Sequence, residues 1–221
     1  MTAAGKAVRT ERAERAGATR ESILAAAERL FAEHGVFAVS NRQVSEAAGQ
    51  GNNAAVGYHF GTKTDLVRAI VRKNAEQIER VRLQMLAEIG DSSNVRDWVA
   101  CLVRPSAEHL AALGNPTWYA RFGAQVMTDP ALREIMVDES LTSPSLHQVL
   151  DGLNRCLPEL PVEVRAERSD MARQLMVHMY AERERALAEG TFTPRSSWHD
   201  AATGLIDALV GLWLAPVTPC S

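Results

Sequence analysis

Residues 39–63 read VSNRQVSEAAGQGNNAAVGYHFGTK, and their caps and glycines leave room for two short helices, a tight turn and the start of a third helix. Ser40 followed by Gln43 has the spacing of a capping box. Val44, Ala47 and Ala48 supply an apolar side, and Gly49 stands where a helix stops. Asn52 or Asn53 then offers the cap of a second helix of about two turns, over residues 54–59. Thr62, with Asp65 three positions on, opens the third.

Two short helices about a glycine turn form a helix-turn-helix, whose second helix enters the DNA major groove with its N-terminal residues at base edges. Here that helix is small-faced, since Ala54, Ala55 and Gly57 let the backbone come close to DNA. Arg42, Gln43, Asn52 and Asn53 are the candidates for base reading, because Asn and Gln pair bidentately with adenine and Arg with guanine. Tyr58, His59 and Lys63 can donate to phosphates. The same pattern has a plainer reading, since short Ala/Gly-rich helices also build ordinary bundles and a capping box marks only a helix start.

A resemblance favours the first reading. Over residues 19–70 the chain resembles the DNA-binding domain of the TetR family of bacterial repressors, through RESILAAAERLFAEHG, VSEAAG and YHFGTKTDLVRAI. The sequence departs from the pattern in its turn GQGNN, one residue longer than usual, and at Gly57, where many members carry an aromatic, with Tyr58 one place later. The resemblance implies an all-α chain: an N-terminal three-helix domain joined by a long helix to a helical ligand-binding and dimerisation domain. The expected divisions are a flexible basic arm at 1–18, the DNA-binding domain at 19–63, the ligand and dimer domain at 64–216, and a tail at 217–221. The implied partners are a double-stranded DNA operator, a small-molecule effector and a second copy of the chain; no cofactor, metal or membrane is expected.

Charge placement agrees with one DNA-facing end. Residues 1–63 carry eight Lys/Arg against six Asp/Glu, a net of +2, and the remainder sixteen against twenty-one, a net of −5. The first eighteen residues, with Lys6, Arg9, Arg12 and Arg15, read either as a disordered tail or as an arm touching the DNA backbone or minor groove. Cys101, Cys156 and Cys220 are odd in number and lack metal-ligand spacing. MTAAGKAVRT has no apolar core of a secretory signal, and the apolar stretch 201–216 contains Asp207 and is short for a membrane span, so a cytoplasmic location is expected.

Helical periodicity persists along the chain. Ile23, Leu24, Ala27, Leu30 and Phe31 make one stripe on a helix over 19–34, and Val36 and Phe37 are expected to fill the small core behind it. A helix over 62–89, about 40 Å long at 1.5 Å per residue, should connect the reading unit to the body. Further helices are expected from Asn94 towards 113, kinked or split at Pro105, then over 116–128, from Asp129 or Pro130, over 144–156, over 162–189 and from Ser196 or Ser197 to just before Pro216.

Two faces are candidate sites. Trp98, Cys101, Leu102 and Pro105 share one side of a helix, and Trp118, Phe122 and Gln125 share one side of the next. A broken helix facing another aromatic-bearing one can enclose a cavity, with Gln125 and His109 as its polar groups, suited to an aromatic or hydrophobic ligand. Ordinary core packing explains each of these residues equally well. Leu175 and Met179 on one helix, and Gly204, Ala208, Gly211 and Leu212 on the last, suit either a subunit core or self-association; the resemblance implies a four-helix dimer interface. Enzyme motifs such as HExxH, G-x-S-x-G, a P-loop or a dinucleotide fingerprint do not occur. Two alternatives remain beside a repressor: a helical interaction module without DNA binding, and a redox sensor using Cys101 or Cys156.

Overall fold

A computed structural model describes the backbone of residues 3–218 and the side chains of residues 13–218. Among the described residues there are ten helices and no strand: α1 Ala3–His34, α2 Asn41–Ala47, α3 Ala55–Phe60, α4 Lys63–Ile89, α5 Val95–Leu113, α6 Tyr119–Thr128, α7 Pro130–Leu141, α8 Pro144–Cys156, α9 Val162–Glu189 and α10 Trp198–Leu214. The expected caps are in place except at α3. Ser40 and Thr62 form full capping boxes with Gln43 and Asp65, Asn94, Asp129, Ser143 and Ser197 cap α5, α7, α8 and α10, and Gly190 closes α9 in a left-handed conformation.

The apolar side chains form two cores. The first gathers Ile23, Ala27 and Phe31 of α1, Val44 of α2, Val56 of α3 and Leu66, Val67 and Ile70 of α4, and it also takes Phe122, Val126, Leu132 and Ile135 from α6 and α7. The reading unit is therefore packed directly on the body. The second core joins Trp98, Val99, Cys101 and Val103 of α5 to Leu153 of α8 and Leu205, Ile206, Leu209 and Trp213 of α10. The long helix α4 serves both, with its first half in one core and Leu86, Met85 and Ile89 against the other.

Four expectations need correction. Helix α1 starts at Ala3 rather than Thr19, because the stretch before Thr19 is rich in the helix formers Ala, Arg and Glu and contains no proline. Phe37 is 67% exposed, since the turn after α1 buries Val36 and Val39 and points Phe37 outward. Helix α6 begins at Tyr119, not Pro116. Helix α5 is not split: it runs continuously through Pro105.

The continuity of α5 has a specific cause. Pro105 has no N–H, so the carbonyl of Cys101 loses its helical donor. Arg82 of α4, itself buried, donates from Nε to that carbonyl at 3.2 Å. Its Nη1 meets Glu79 at 3.2 Å and the Ser145 hydroxyl at 3.3 Å, and the Glu79 carboxylate accepts from the Ser143 hydroxyl, the Ser145 hydroxyl and the Ser145 backbone N–H at the start of α8. Arg82→Ala should cost about 2–3 kcal/mol, the loss of a buried charge-assisted hydrogen bond. In a Pro105→Ala background, where the backbone N–H returns, the loss should be smaller; equal losses by urea unfolding in both backgrounds would disprove the link.

Candidate nucleic-acid interface

The helix-turn-helix is held by short-range polar bonds. Gln43 Oε1 accepts from the Ser40 N–H and hydroxyl, both at 2.8 Å, while Gln43 N donates back to Ser40 Oγ at 3.2 Å. Gly49 turns the chain at φ +69°, a conformation L side chains rarely adopt. Asn52 Oδ1 accepts from the Ala54 N–H at 2.9 Å, and the Ser45 hydroxyl reaches the Asn53 carbonyl at 3.4 Å. The cap of α3 is thus Ala54, with Asn52 bracing the turn ahead of it, and neither asparagine is the capping residue itself.

Helix α3 divides cleanly into two faces. Ala55 and Val56 are buried in the first core, whereas Ala54, Gly57 and Tyr58 are exposed. Ala55 therefore serves packing, 8% exposed in the first core beside Val56, whereas Ala54 and Tyr58, four positions apart, share the exposed face. A Cβ at Gly57 would meet nothing within 4 Å, so packing within the chain does not require glycine there. Tyr58, 82% exposed, lies edge-on to the His59 ring at 5.0 Å. Asn52 and Asn53 are exposed beside them.

Two basic side chains have structural duties. Lys63 Nζ donates to the carbonyls of Val36, at 3.1 Å, and Val39, at 2.5 Å, so it ties the start of α4 to the turn after α1. Arg42 pairs with Glu46 at 2.8 Å on the surface of α2. Arg20, which sequence reasoning missed, donates to the His59 carbonyl at 2.9 Å and places its guanidinium 4.1 Å from the centre of the Phe60 ring. The sequence signal for Arg20 was faint, because the contact spans thirty-nine positions between two helices.

The expected cavity residues do not come together. Trp98 and Cys101 lie in the second core, with Leu102 at its edge, and Phe122 and Trp118 belong to the first. The ring of Trp98 fills the space over Gly152, where a Cβ would sit 2.4 Å from it. Gln125 is exposed and lines a surface cleft of about 340 Å³ with His34, Phe37 and Asp129. His109 and Phe122 are bridged through Tyr119, whose ring centre lies 5.6 Å from the one and 6.3 Å from the other. Of the candidate self-association residues, Met179, Ala208 and Gly211 are exposed, and Leu175, Gly204 and Leu212 half-buried, while Leu205 and Leu209 turn inward.

His109 belongs to a buried polar chain between the reading unit and the body. Asn74 of α4 donates from its amide to Glu28 of α1 at 3.0 Å and to the Ile70 carbonyl at 2.9 Å, leaving its oxygen to accept from His109 Nε2 at 2.7 Å. Burial holds the Glu28 carboxyl above the ordinary carboxylate range, with the Asn74 bond only partly offsetting it. Burial, aided by the charge of Lys73, holds the His109 imidazole below its ordinary value.

This is a helix-turn-helix regulator fold with its second helix exposed on one face. A family model described as bacterial regulatory proteins, tetR family, matches residues 23–70, and one described as tetracyclin repressor-like, C-terminal domain, matches residues 100–211. The chain belongs to the TetR family, a family of DNA-binding regulators and not of enzymes. Among curated proteins it is 38% identical over 63 residues to the HTH-type transcriptional repressor AcnR of Corynebacterium glutamicum, a match spanning 28% of this chain and 33% of the repressor. It is 35% identical over 81 residues to AcnR of Corynebacterium diphtheriae, spanning 37% and 40%. The matches thus cover well under half of these relatives' length. The fold is similar to that of a TetR family transcription regulator from Marinobacter aquaeolei VT8, with TM-score 0.61 and 18% identity over 88% of this chain and 97% of that one. It is also similar to the TetR family regulator PfmR of Thermus thermophilus, with TM-score 0.51 and 14% identity over 89% and 96%.

The polar chain predicts a pH dependence. A carboxyl whose folded pKa is raised contributes most below its unfolded value of 4.5 and loses that contribution as pH rises through the folded value. Glu28→Gln keeps an acceptor for Asn74 and removes the buried charge, so it should raise the melting temperature near neutral pH, with the gain vanishing below about pH 4.5. His109 acts in the opposite sense, losing stability as pH falls below 6.5, and that slope should persist in the variant. A Glu28→Gln melting temperature at or below wild type at neutral pH would contradict this account.

Proposed function

We propose that the chain is a homodimeric transcriptional repressor, cytoplasmic, released from a palindromic operator by a small ligand. The observation that carries the reading is the exposed face of α3, where small Ala54 and Gly57 lie beside Asn53 and Tyr58 after a turn braced by the bond from the Ala54 N–H to Asn52. Such a face lets the backbone approach the major groove while its polar groups reach base edges. Each subunit reads one half-site, the two lying about 34–36 Å or a multiple apart. Arg42, Gln43, Asn52 and Asn53 are the reading candidates, with Gln43 limited to its amide protons because its oxygen serves the cap. Tyr58 and His59 contact phosphate, and Lys63 acts there mainly by fixing the start of α4.

The effector acts where the two cores meet. His109, Tyr119 and Phe122 connect α5 and α6 to Phe31 of α1, so a ligand parting them alters the packing under the reading unit. A ligand shifts this equilibrium only by its difference in affinity for the two arrangements. A dimer seam of Leu175, Met179, Gly204, Ala208, Gly211 and Leu212 is supported by their being exposed or half-buried on α9 and α10. A redox switch at Cys101 is disfavoured, since the residue is buried and burial pushes its thiol up to about 11, away from the reactive thiolate.

An electrophoretic shift against the DNA upstream of the chain's own gene tests the proposal, and absence of any specific complex would leave a helical interaction module in its place. Asn53→Ala should cost about 1–3 kcal/mol on the cognate site and relax one of its positions. Asn52→Ala should instead lower folding stability by about 1 kcal/mol, the loss of the hydrogen bond that it accepts from the Ala54 N–H in the turn. Gly211→Glu, which puts a charge on the seam, should sediment as monomer and lose operator binding, and a stable dimer would place the interface elsewhere.

A further inference from the structure

Beside the corner between α6 and α7, a hollow of about 210 Å³ is lined by Met127, Thr128 and Arg133 on one side and by Arg173, Gln174, Val177 and His178 of α9 on the other. Its lining contains two guanidiniums and no carboxylate. Arg133 has no hydrogen bond or ion pair for its side chain among the described residues, and the same holds for Gln174 and His178. Arg173 has one carboxylate partner, Asp170, at 2.8 Å, on its own helix. Surface arginines one turn from an acid are ordinary; two that border one concavity, accompanied by an unused amide and an unused imidazole, are not explained by packing.

We infer that this hollow binds a small anion, a carboxylate or a phosphate, between the α6–α7 corner and α9. Arginine presents a planar fork matched to either oxyanion, and an anion bridging Arg133 and Arg173 relieves the repulsion between them. Gln174 and His178 add N–H donors from the same side as Arg173. The volume suits a ligand of a few heavy atoms and not a large planar molecule. The site is distinct from the aromatic junction at Tyr119, none of whose members lines it.

The position gives the anion a mechanical consequence. Leu132, adjacent to Arg133, and Ile135 are buried in the first core beside the helices of the reading unit. Helix α7 also holds α4 through Glu139, which pairs with Arg68 at 3.4 Å and Arg72 at 2.8 Å. Drawing Arg133 towards α9 therefore moves a helix that touches both α4 and the reading unit. This coupling rests on the repressor reading above; the binding site itself does not.

The test is calorimetric titration of the full chain with inorganic phosphate and, separately, with succinate, at ionic strength held constant with sodium chloride. One of the two should bind saturably, one per chain, and the preferred probe distinguishes phosphate from carboxylate chemistry. Arg133→Gln and Arg173→Gln should each weaken it at least tenfold, with Arg133→Lys retaining more than Arg133→Gln. Both side chains lie at the surface, and unchanged thermal unfolding of the ligand-free variants confirms that only the site was altered. No saturable binding of either anion, or equal binding by both glutamine variants, overturns the site. If Arg133→Gln instead lowers dimer affinity while wild type binds neither anion, the hollow is occupied by a second copy, and the inference also fails. The preferred anion should change operator affinity of the wild type and not of Arg133→Gln; unchanged affinity at saturating anion overturns the coupling. A chain that binds the anion but no DNA overturns the repressor reading alone.

Discussion

A helix whose end or break is buried must find partners for backbone groups that have none within the helix, and in this protein distant charged side chains meet that demand. Arg82 answers the carbonyl left bare by Pro105 in α5, and Glu79 answers the Ser145 N–H in the first turn of α8. Glu184 of α9, buried and over sixty positions away, accepts from the N–H groups of Ala120 and Arg121 at the start of α6, whose own cap residue offers no side-chain bond. Arg168 donates to the carbonyls of Trp213 and Ala215, closing α10. Breaking any one leaves a buried group unpaired, which costs more than the bond itself contributes on formation. The long helices α4 and α9 are therefore the frame, and the shorter helices are placed by what these two offer them.

That frame explains how the reading unit is joined to the body. Helix α4 is continuous from its capped start at Thr62 to Gly90, and along its length it meets Glu28, His109, Cys101 and the start of α8 through polar bonds. The apolar contacts run in parallel, since Phe122 stacks against Phe31 of α1 at 6.4 Å. A small movement of α6 or α7 cannot be absorbed locally in a close-packed interior, so it is passed to α1 and α4.

Local structure was largely legible from the residues. Ser40, Thr62, Asn94, Asp129, Ser143 and Ser197 mark starts because their side chains satisfy N–H groups two or three positions on, a purely local transaction. The reading unit was legible for the same reason, helped by a resemblance carried by short contiguous motifs. The burial of Ala55 was not legible, because a two-turn helix gives too few positions to set its phase. Phe37 was misplaced because a hydrophobic residue in a turn carries no periodicity at all.

What the sequence by itself determined is the all-helical class, the order and ends of most helices, and the helix-turn-helix, because each depends on residues within about four positions of one another. What only the tertiary structure decided is which helices share a core, that α5 survives its proline, that Lys63 and Gln43 spend their polar atoms on the turn, and that Trp98 and Phe122 lie in different cores. These outcomes depend on side chains brought together from far along the chain, such as Arg82 with Cys101 or Glu184 with Ala120. Such pairings leave no periodic trace in the sequence, since what selects them is the unmet hydrogen bond of a neighbouring helix.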